Sequence, residues 1–231
     1  MKASTFLTSF VIISALVSGC ATRGYNHADS AATSMQRGAE RAETGAAQIE
    51  TALVALSDLV ENPGSDLKVQ FGKFNGAVSN IESLGKDIAG KSASMKQAGA
   101  DYFKKWDEEL ARIQSEDIRS RSAARKTEVV QSFERVQSSY QAASAALTPL
   151  ITRLTDIRTA ISTDLTRAGL DSIRSSVSGV KSEGSSVQQL LKTLAADFKR
   201  LGTSISSSLP QPAQPKTAPQ KTTTPTPATG S

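Results

Sequence analysis

The chain has 231 residues, a formal net charge of +5, and a composition that is 38% hydrophobic but only 5% aromatic. One cysteine and one histidine rule out an internal disulfide framework and zinc sites of the usual ligand types, and no metal or cofactor is expected. So small a positive excess is no nucleic-acid footprint. A chain rich in Ala, Ser, Gln, Lys and Arg, without alternating runs of strand formers, favours an all-α fold of long helices with narrow apolar seams.

The opening segment reads as a targeting signal rather than part of the fold. Met1-Lys2 supplies one positive charge, and Phe6 to Val17 is apolar or small apart from Thr8, Ser9 and Ser14. The run ends in Val17-Ser18-Gly19-Cys20. This ending resembles the lipobox of bacterial lipoprotein signal peptides, in which an aliphatic residue and two small ones precede a cysteine. The resemblance implies removal of residues 1–19 and acylation of the Cys20 sulfur. A membrane-spanning helix needs about 20 apolar residues, more than the segment offers. An ordinary signal peptide would leave a free thiol at the cut site. Ala21 follows the cysteine where Asp would favour retention, which by resemblance to enterobacterial sorting directs the protein to the outer membrane, facing the periplasm. A lipid bilayer is thus the first expected partner, through acylated Cys20. Residues 20–27, including His27, are expected to form a short lipidated linker.

Four apolar seams follow, spaced alternately by four and three residues. The first is Ala28, Ala32, Met35, Ala39, Ala42, Ala46, Ile49, Leu53, Leu56 and Val60, apolar at every position. Its Ala-rich half permits close helix approach but buries little area, so that end is expected to fray first. Asn62-Pro63-Gly64 then breaks the helix, with Ser65 or Asp66 placed to cap the next. The second seam runs from Leu67 through Phe71, Phe74, Val78, Ile81, Gly85, Ile88, Ser92, Met95, Gly99, Tyr102, Trp106 and Glu109 to Ile113, weakened where Gly and Ser fall in line. Residues 114–128 are polar and contain neither Gly nor Pro. The seam slips by two residues across them, so a turn or frayed tip is favoured over one continuous rod. The third seam, again apolar throughout, is Val129, Phe133, Val136, Tyr140, Ala143, Leu147, Leu150, Leu154, Ile157 and Ile161, with Pro149 expected to kink it. The fourth follows Gly169 and a cap expected at Asp171, and runs from Ile173 through Val177, Val180, Gly184, Val187, Leu191, Leu194 and Phe198 to Leu201 and Ile205.

A repeat of 3.5 residues implies helices that wind around partners. Each seam is too narrow to be stable alone, and short links favour antiparallel neighbours. The expected architecture over residues 28–208 is therefore an elongated antiparallel coiled-coil bundle of three or four long helices. Residues 209–231 hold six of the eight prolines and no acid. They are expected to be a disordered tail with polyproline II character, solvated or reaching toward peptidoglycan or a protein.

Catalytic constellations are absent from the sequence: no triad with His as base, no phosphate-cradling glycine loop and no HExxH, so no catalytic residue and no enzyme activity is expected. Two clusters stand out. Tyr102-Phe103-Lys104-Lys105-Trp106-Asp107-Glu108-Glu109 sets Tyr102 and Trp106 on one face. They anchor the core near a bundle end or, alternatively, bind a partner or glycan. Arg119, Arg121, Arg125 and Lys126, softened by Glu116, Asp117 and Glu128, form either a solvated helical tip or a contact for anionic lipid or polymer.

The segment YFKKWDEELARIQSEDIRSRSAARK (residues 102–126), with Phe133-Glu134 and the seam after it, resembles a bacterial domain-of-unknown-function family of predicted lipoproteins and periplasmic proteins dominated by coiled coil. The resemblance covers roughly residues 22–205 and implies no activity. The expected function is that of a structural or adaptor module of the cell envelope that binds another envelope protein or itself. A membrane-remodelling coiled coil is the alternative. A helical pore-former or enzyme stands third, because no apolar run beyond residue 19 is long enough to enter a bilayer.

Overall fold

The computed structural model describes residues 20–206, and these form four helices: α1 (Cys20–Glu61), α2 (Leu67–Leu110), α3 (Glu116–Thr163) and α4 (Arg167–Ile205). Residues 1–19, with Val17, Ser18 and Gly19 of the lipobox-like ending, lie outside the described residues, as does the tail from residue 207.

Every link is a short reversal, and each helix packs antiparallel on the one before it. α1 also packs on α4, closing a ring of four in the order α1, α2, α3, α4, with α1–α4 the most extensive pairing. The register is visible in the cross-links. Glu43 pairs with Lys199 and Glu61 with Lys181 between α1 and α4. Glu82 pairs with Arg158 and Asp107 with Lys126 between α2 and α3. The expected all-α antiparallel bundle is thus an up-down-up-down bundle of four helices, each roughly 60–70 Å long at about 1.5 Å per residue.

The apolar seams face inward. Apart from half-buried Phe133, the third is buried from Val129 to Ile161, and the fourth is buried from Val177 to Leu201. α1 buries Ala52 and Leu59 as well as its seam from Ala39 to Val60, because a helix in a ring of four touches two neighbours and needs a face wider than one stripe. At Gly184 a Cβ would stand 2.7 Å from Leu53 Cδ1, so the missing side chain lets α4 close on α1. Pro149 lies inside α3, which continues through it without a break.

The links show why the helices stop. Asp66 caps α2, its Oδ1 accepting from the backbone N–H groups of Lys68 and Val69 at 3.0 and 3.3 Å. Gln70 ties the same link together: it accepts from Gly64 N and donates to the carbonyls of Asp58 and Asn62, closing off the last carbonyls of α1. At α4 the cap is Thr166, whose Oγ1 accepts from Gly169 N at 3.1 Å. Asp171, expected to cap α4, instead sits one turn inside the helix and pairs with Arg174.

Two expected boundaries move. The polar stretch 114–128 is not itself the turn. The reversal occupies residues 111–115, and α3 begins at Glu116. α2 stops without Gly or Pro because Arg112 N and Ile113 N donate to the carbonyls of Glu109 and Leu110, a tightened last turn. Arg119 then takes the Ile113 carbonyl at 3.3 Å. Glu116 and Asp117 in the first turn of α3 suit its positive dipole end, so a segment that lacks an apolar seam is helical nonetheless. The start of α1 also differs. Residues 20–27, expected as a linker, form its first turns, since Gly24 is the only residue among them that strongly opposes a helix.

Candidate functional site

The start of α1, the 111–115 reversal, the polar first turns of α3 and the last turn of α4 gather at one end of the bundle. Gly202 of α4 lies against Met35 and the Ala32 carbonyl. α4 ends three residues later at Ile205, so α1 continues toward Cys20 past the end of α4. Arg125 of α3 donates to the carbonyl of Ser204, holding the end of α4 to the start of α3. Cys20 and the last described residue, Ser206, therefore belong to the same end.

Both sequence clusters fall at this end, and the structure brings them together. Trp106 Nε1 donates to Ser122 Oγ across the reversal at 3.3 Å. Tyr102 makes edge-on contacts with Phe103 and Trp106 at centroid distances of 5.5 and 5.8 Å, and Phe103 meets Phe133 of α3 at 5.6 Å. These rings are half-buried, a chain of aromatic contacts that pins α2 to α3. Partial burial pushes the Tyr102 phenol above its ordinary pKa, with the Arg125 charge opposing.

The basic cluster is neutralised. Arg119 pairs with Glu116, Arg121 with Asp117, Arg125 with Glu128 and Lys126 with Asp107. Each expected cation thus has its own carboxylate, leaving little net attraction for an anionic surface. Three of the four pairs lie within one helix at i,i+3 or i,i+4 spacing, worth a few tenths of a kcal/mol each. The Lys126–Asp107 bridge, 2.5 Å long with the Lys126 side chain mostly buried, is the one that joins helices.

A larger feature begins beside the aromatic chain. Between α1 and α2 the ring is open, leaving a groove of about 780 Å³. Its floor is apolar and drawn from all four helices, with Ile88, Phe133, Leu194 and Phe198 among its residues. Its rim on α1 carries Arg37 and Arg41, and its rim on α2 carries Asp87 and Lys91. The α1–α2 cross-links seen in the structure, Leu84 over Gly45 and Gln70 on the carbonyls of Asp58 and Asn62, lie from mid-helix toward the 62–66 link. The open part is the half toward Cys20. Tyr140 of α3 stands in the groove and donates from its hydroxyl to the Ile88 carbonyl at 2.6 Å. Burial raises its phenol pKa, and the nearby Asp87 carboxylate adds to the rise while Arg41 offsets it.

The apolar seams do not announce this groove. The Ala-rich half of the first seam was expected to allow close approach, and toward α4 it does: Gly38 sits under the Phe198 ring. Toward α2 the same small residues leave space. The small residues on the α2 side of this space include Ser94, Ala98 and Gly99, and of these only Gly99 lies on the second seam.

Elsewhere the polar groups are structural. Glu82 accepts from Arg158 at 2.6 Å and from Thr155 at 3.2 Å, and the Arg158 hydrogen bond holds its carboxyl below the ordinary range against the effect of burial. Asp197, buried on α4, accepts from Ser139 of α3 at 2.6 Å and from Arg200 at 2.8 Å. Among the described residues no group of three or more His, Cys, Asp or Glu side chains is placed to hold a metal ion. None of the described helices is long and apolar enough to cross a membrane.

Fold and groove together define an antiparallel four-helix bundle, open on one side toward the end that carries both the first and the last described residues. The chain belongs to the family described as protein of unknown function (DUF2959), which matches residues 19–206. That span covers the whole bundle and agrees with the resemblance found in the sequence. No curated protein and no solved structure matches the chain.

Proposed function

We propose that the protein is a lipoprotein of the cell envelope, tethered through acylated Cys20 to the outer membrane and facing the periplasm, and that its bundle is a protein-binding adaptor. The observation that carries this reading is the polarity of the bundle. Cys20 and the last turn of α4 share one end, so a bundle hung from Cys20 would keep the 62–66 and 164–166 links at the far end, roughly 60 Å away. An anchor at one pole and a long charged surface beyond it suit a spacer that presents its helices to another envelope protein. The Pro-rich segment after residue 206 would leave from the anchored pole. With the basic cluster matched by carboxylates and Tyr102 and Trp106 engaged with other rings, the reading gives the bundle a structural role.

The anchor and the adaptor role are tested separately. Cells grown on labelled palmitate should label the wild-type chain and not the Cys20→Ala variant, and equal labelling of both would overturn the anchor. Affinity capture from crosslinked cells should return a defined envelope protein, or the chain itself. If capture returned neither and the purified chain stayed monomeric in light scattering, the adaptor role would be abandoned.

A further inference from the structure

We propose that the α1–α2 groove is a binding site for a single-chain anionic lipid, a long-chain fatty acid, with its carboxylate at Arg37, Arg41 and Lys91 and its tail along the apolar floor. The inference does not depend on acylation of Cys20 or on the adaptor role.

Size comes first. A volume of about 780 Å³ falls within the ~300–1,000 Å³ of small-molecule sites. From Asp87 to Phe103 the groove follows α2 for sixteen residues, or about 24 Å. An extended acyl chain spans half of a hydrocarbon core about 30 Å thick, roughly 15 Å. The groove is long enough for such a chain with its headgroup still at the rim.

The charge pattern selects the headgroup. In antiparallel register, with Leu84 over Gly45, Lys91 comes opposite Gly38 and Asp87 comes near Arg41. Arg37, Arg41 and Lys91 therefore share one stretch of the rim, and Asp87 is the one carboxylate among the residues lining the groove. The cations of the 116–128 segment each hold a carboxylate. Among the described residues these three hold none, and they sit over apolar floor. A neutral lipid would leave this stretch with more cations than carboxylates, and a free inorganic anion would leave the floor empty. An anionic head on one acyl chain satisfies both.

The chain itself supplies no good filler. Residues 207–231 contain one large apolar side chain, Leu209, among Pro, Thr, Gln and Ser. The residues facing the space are small on α1 and on parts of α2, including Ala31, Ala42, Ala98 and Gly99, and their apolar surface favours transfer of hydrocarbon from water at about 25 cal/mol per Å².

The test uses the full chain and cis-parinaric acid, a fatty acid that fluoresces in apolar surroundings. Saturable one-to-one binding is expected. Replacing Arg37, Arg41 and Lys91 together with Gln should weaken it at least about tenfold, the loss of one or two charge-assisted contacts. Ala98→Trp, which fills the groove from a side chain exposed in the unliganded protein, should abolish binding. Thermal melts of both variants report whether the bundle is intact. Should either variant unfold, Arg37→Gln alone and Ser94→Trp repeat the comparison. No saturable binding by the wild-type chain would overturn the proposal, as would binding that survives both the charge and the filling substitutions in folded protein. Binding by a Cys20→Ser chain but not by the acylated wild type would assign the groove to the protein's own anchor and overturn a free lipid as its occupant. Displacement of the probe by oleate but not by a neutral long-chain alcohol would support it.

Discussion

Replacing Gly184 with Ala should destabilise the bundle, whereas the same substitution at Gly76 should stabilise it. Both residues are helical, so each gains about 1 kcal/mol of helix propensity from the change. Around Gly76 nothing lies within 4 Å of an added Cβ, and the gain stands alone. At Gly184 the Cβ would meet Leu53 Cδ1 at 2.7 Å, Cδ2 at 3.0 Å and Cγ at 3.2 Å. Leu53 is 7% exposed and has little room to rotate away. Overpacking of this kind costs about 1–3 kcal/mol, so the net change at Gly184 is an expected loss of about 0–2 kcal/mol after the propensity gain. For a domain of this size each kcal/mol moves the melting temperature by about 2–4 °C. The two variants should therefore differ by several degrees in thermal melts followed by circular dichroism, with urea unfolding as a second measure. A double-mutant cycle sharpens the test. Leu53→Ala alone should cost about 2–5 kcal/mol through the cavity it leaves, and in that background Gly184→Ala should turn from unfavourable to favourable. If Gly184→Ala stabilised as much as Gly76→Ala, or kept its penalty without Leu53, the close α1–α4 approach would be refuted.

Glu82→Gln should cost about 1 kcal/mol at neutral pH by weakening a partly buried hydrogen bond to Arg158. Because Arg158 lowers the folded-state pKa of Glu82 below its unfolded value, the contribution is present above the ordinary carboxylate range and fades as pH falls through the folded pKa. Wild type and variant should therefore converge in acid-unfolding curves, and a difference that persisted unchanged in strong acid would refute the assignment. Tyr140→Phe removes the hydroxyl that donates to the Ile88 carbonyl and should cost about 1 kcal/mol in urea unfolding. Since burial raises the Tyr140 pKa, its contribution is present below the ordinary phenol range and is lost as pH rises through the folded value. The variant should show a flatter decline of stability in alkali than the wild type.

How much of this was legible depended on what each residue contributes. The third seam could be read in full because every seam position from Val129 to Ile161 is apolar and all but Ala143 are large enough to declare their face. Asp66 was readable as a cap because it follows Pro63-Gly64, where a new helix must start. Residues 116–128 were harder, since an amphipathic pattern marks burial and this stretch has little to bury. It is helical through its charge pairs and first-turn acids, which leave no seam. Thr166 was missed for the same reason: a cap is set by one hydroxyl and one backbone N–H, and Asp171 a turn later offered an equally good side chain. The pairing of the basic cluster was legible, because Glu116, Asp117 and Glu128 stand three or four residues from its arginines. The convergence of Arg37 and Arg41 with Lys91 was not, because it rests on the register of α1 against α2, which no local pattern encodes.

That register also accounts for the groove. In a ring of four helices the spacing between α1 and α2 is set from two sides, by the α1–α4 and α2–α3 pairings as well as by their own contact. α1 is drawn onto α4 along most of its length, with Gly38 under Phe198, Gly45 near Leu191 and Leu53 over Gly184. α2 is tied to α3 by Glu82 with Arg158, Tyr140 with the Ile88 carbonyl, and the aromatic chain ending at Phe133. Near the 62–66 link, large side chains such as Leu59, Phe74 and Ile81 fill the centre, and the ring is closed. Toward Cys20 the α1 seam turns to alanine, and the α2 side of the groove carries small residues such as Ser94, Ala98 and Gly99. Small residues draw two helices together only when neither is held elsewhere, and here both are. The volume they give up remains as a groove with an apolar floor. The stretch of sequence that looked poorest in core-forming residues is therefore the place where the bundle has room to hold something other than itself.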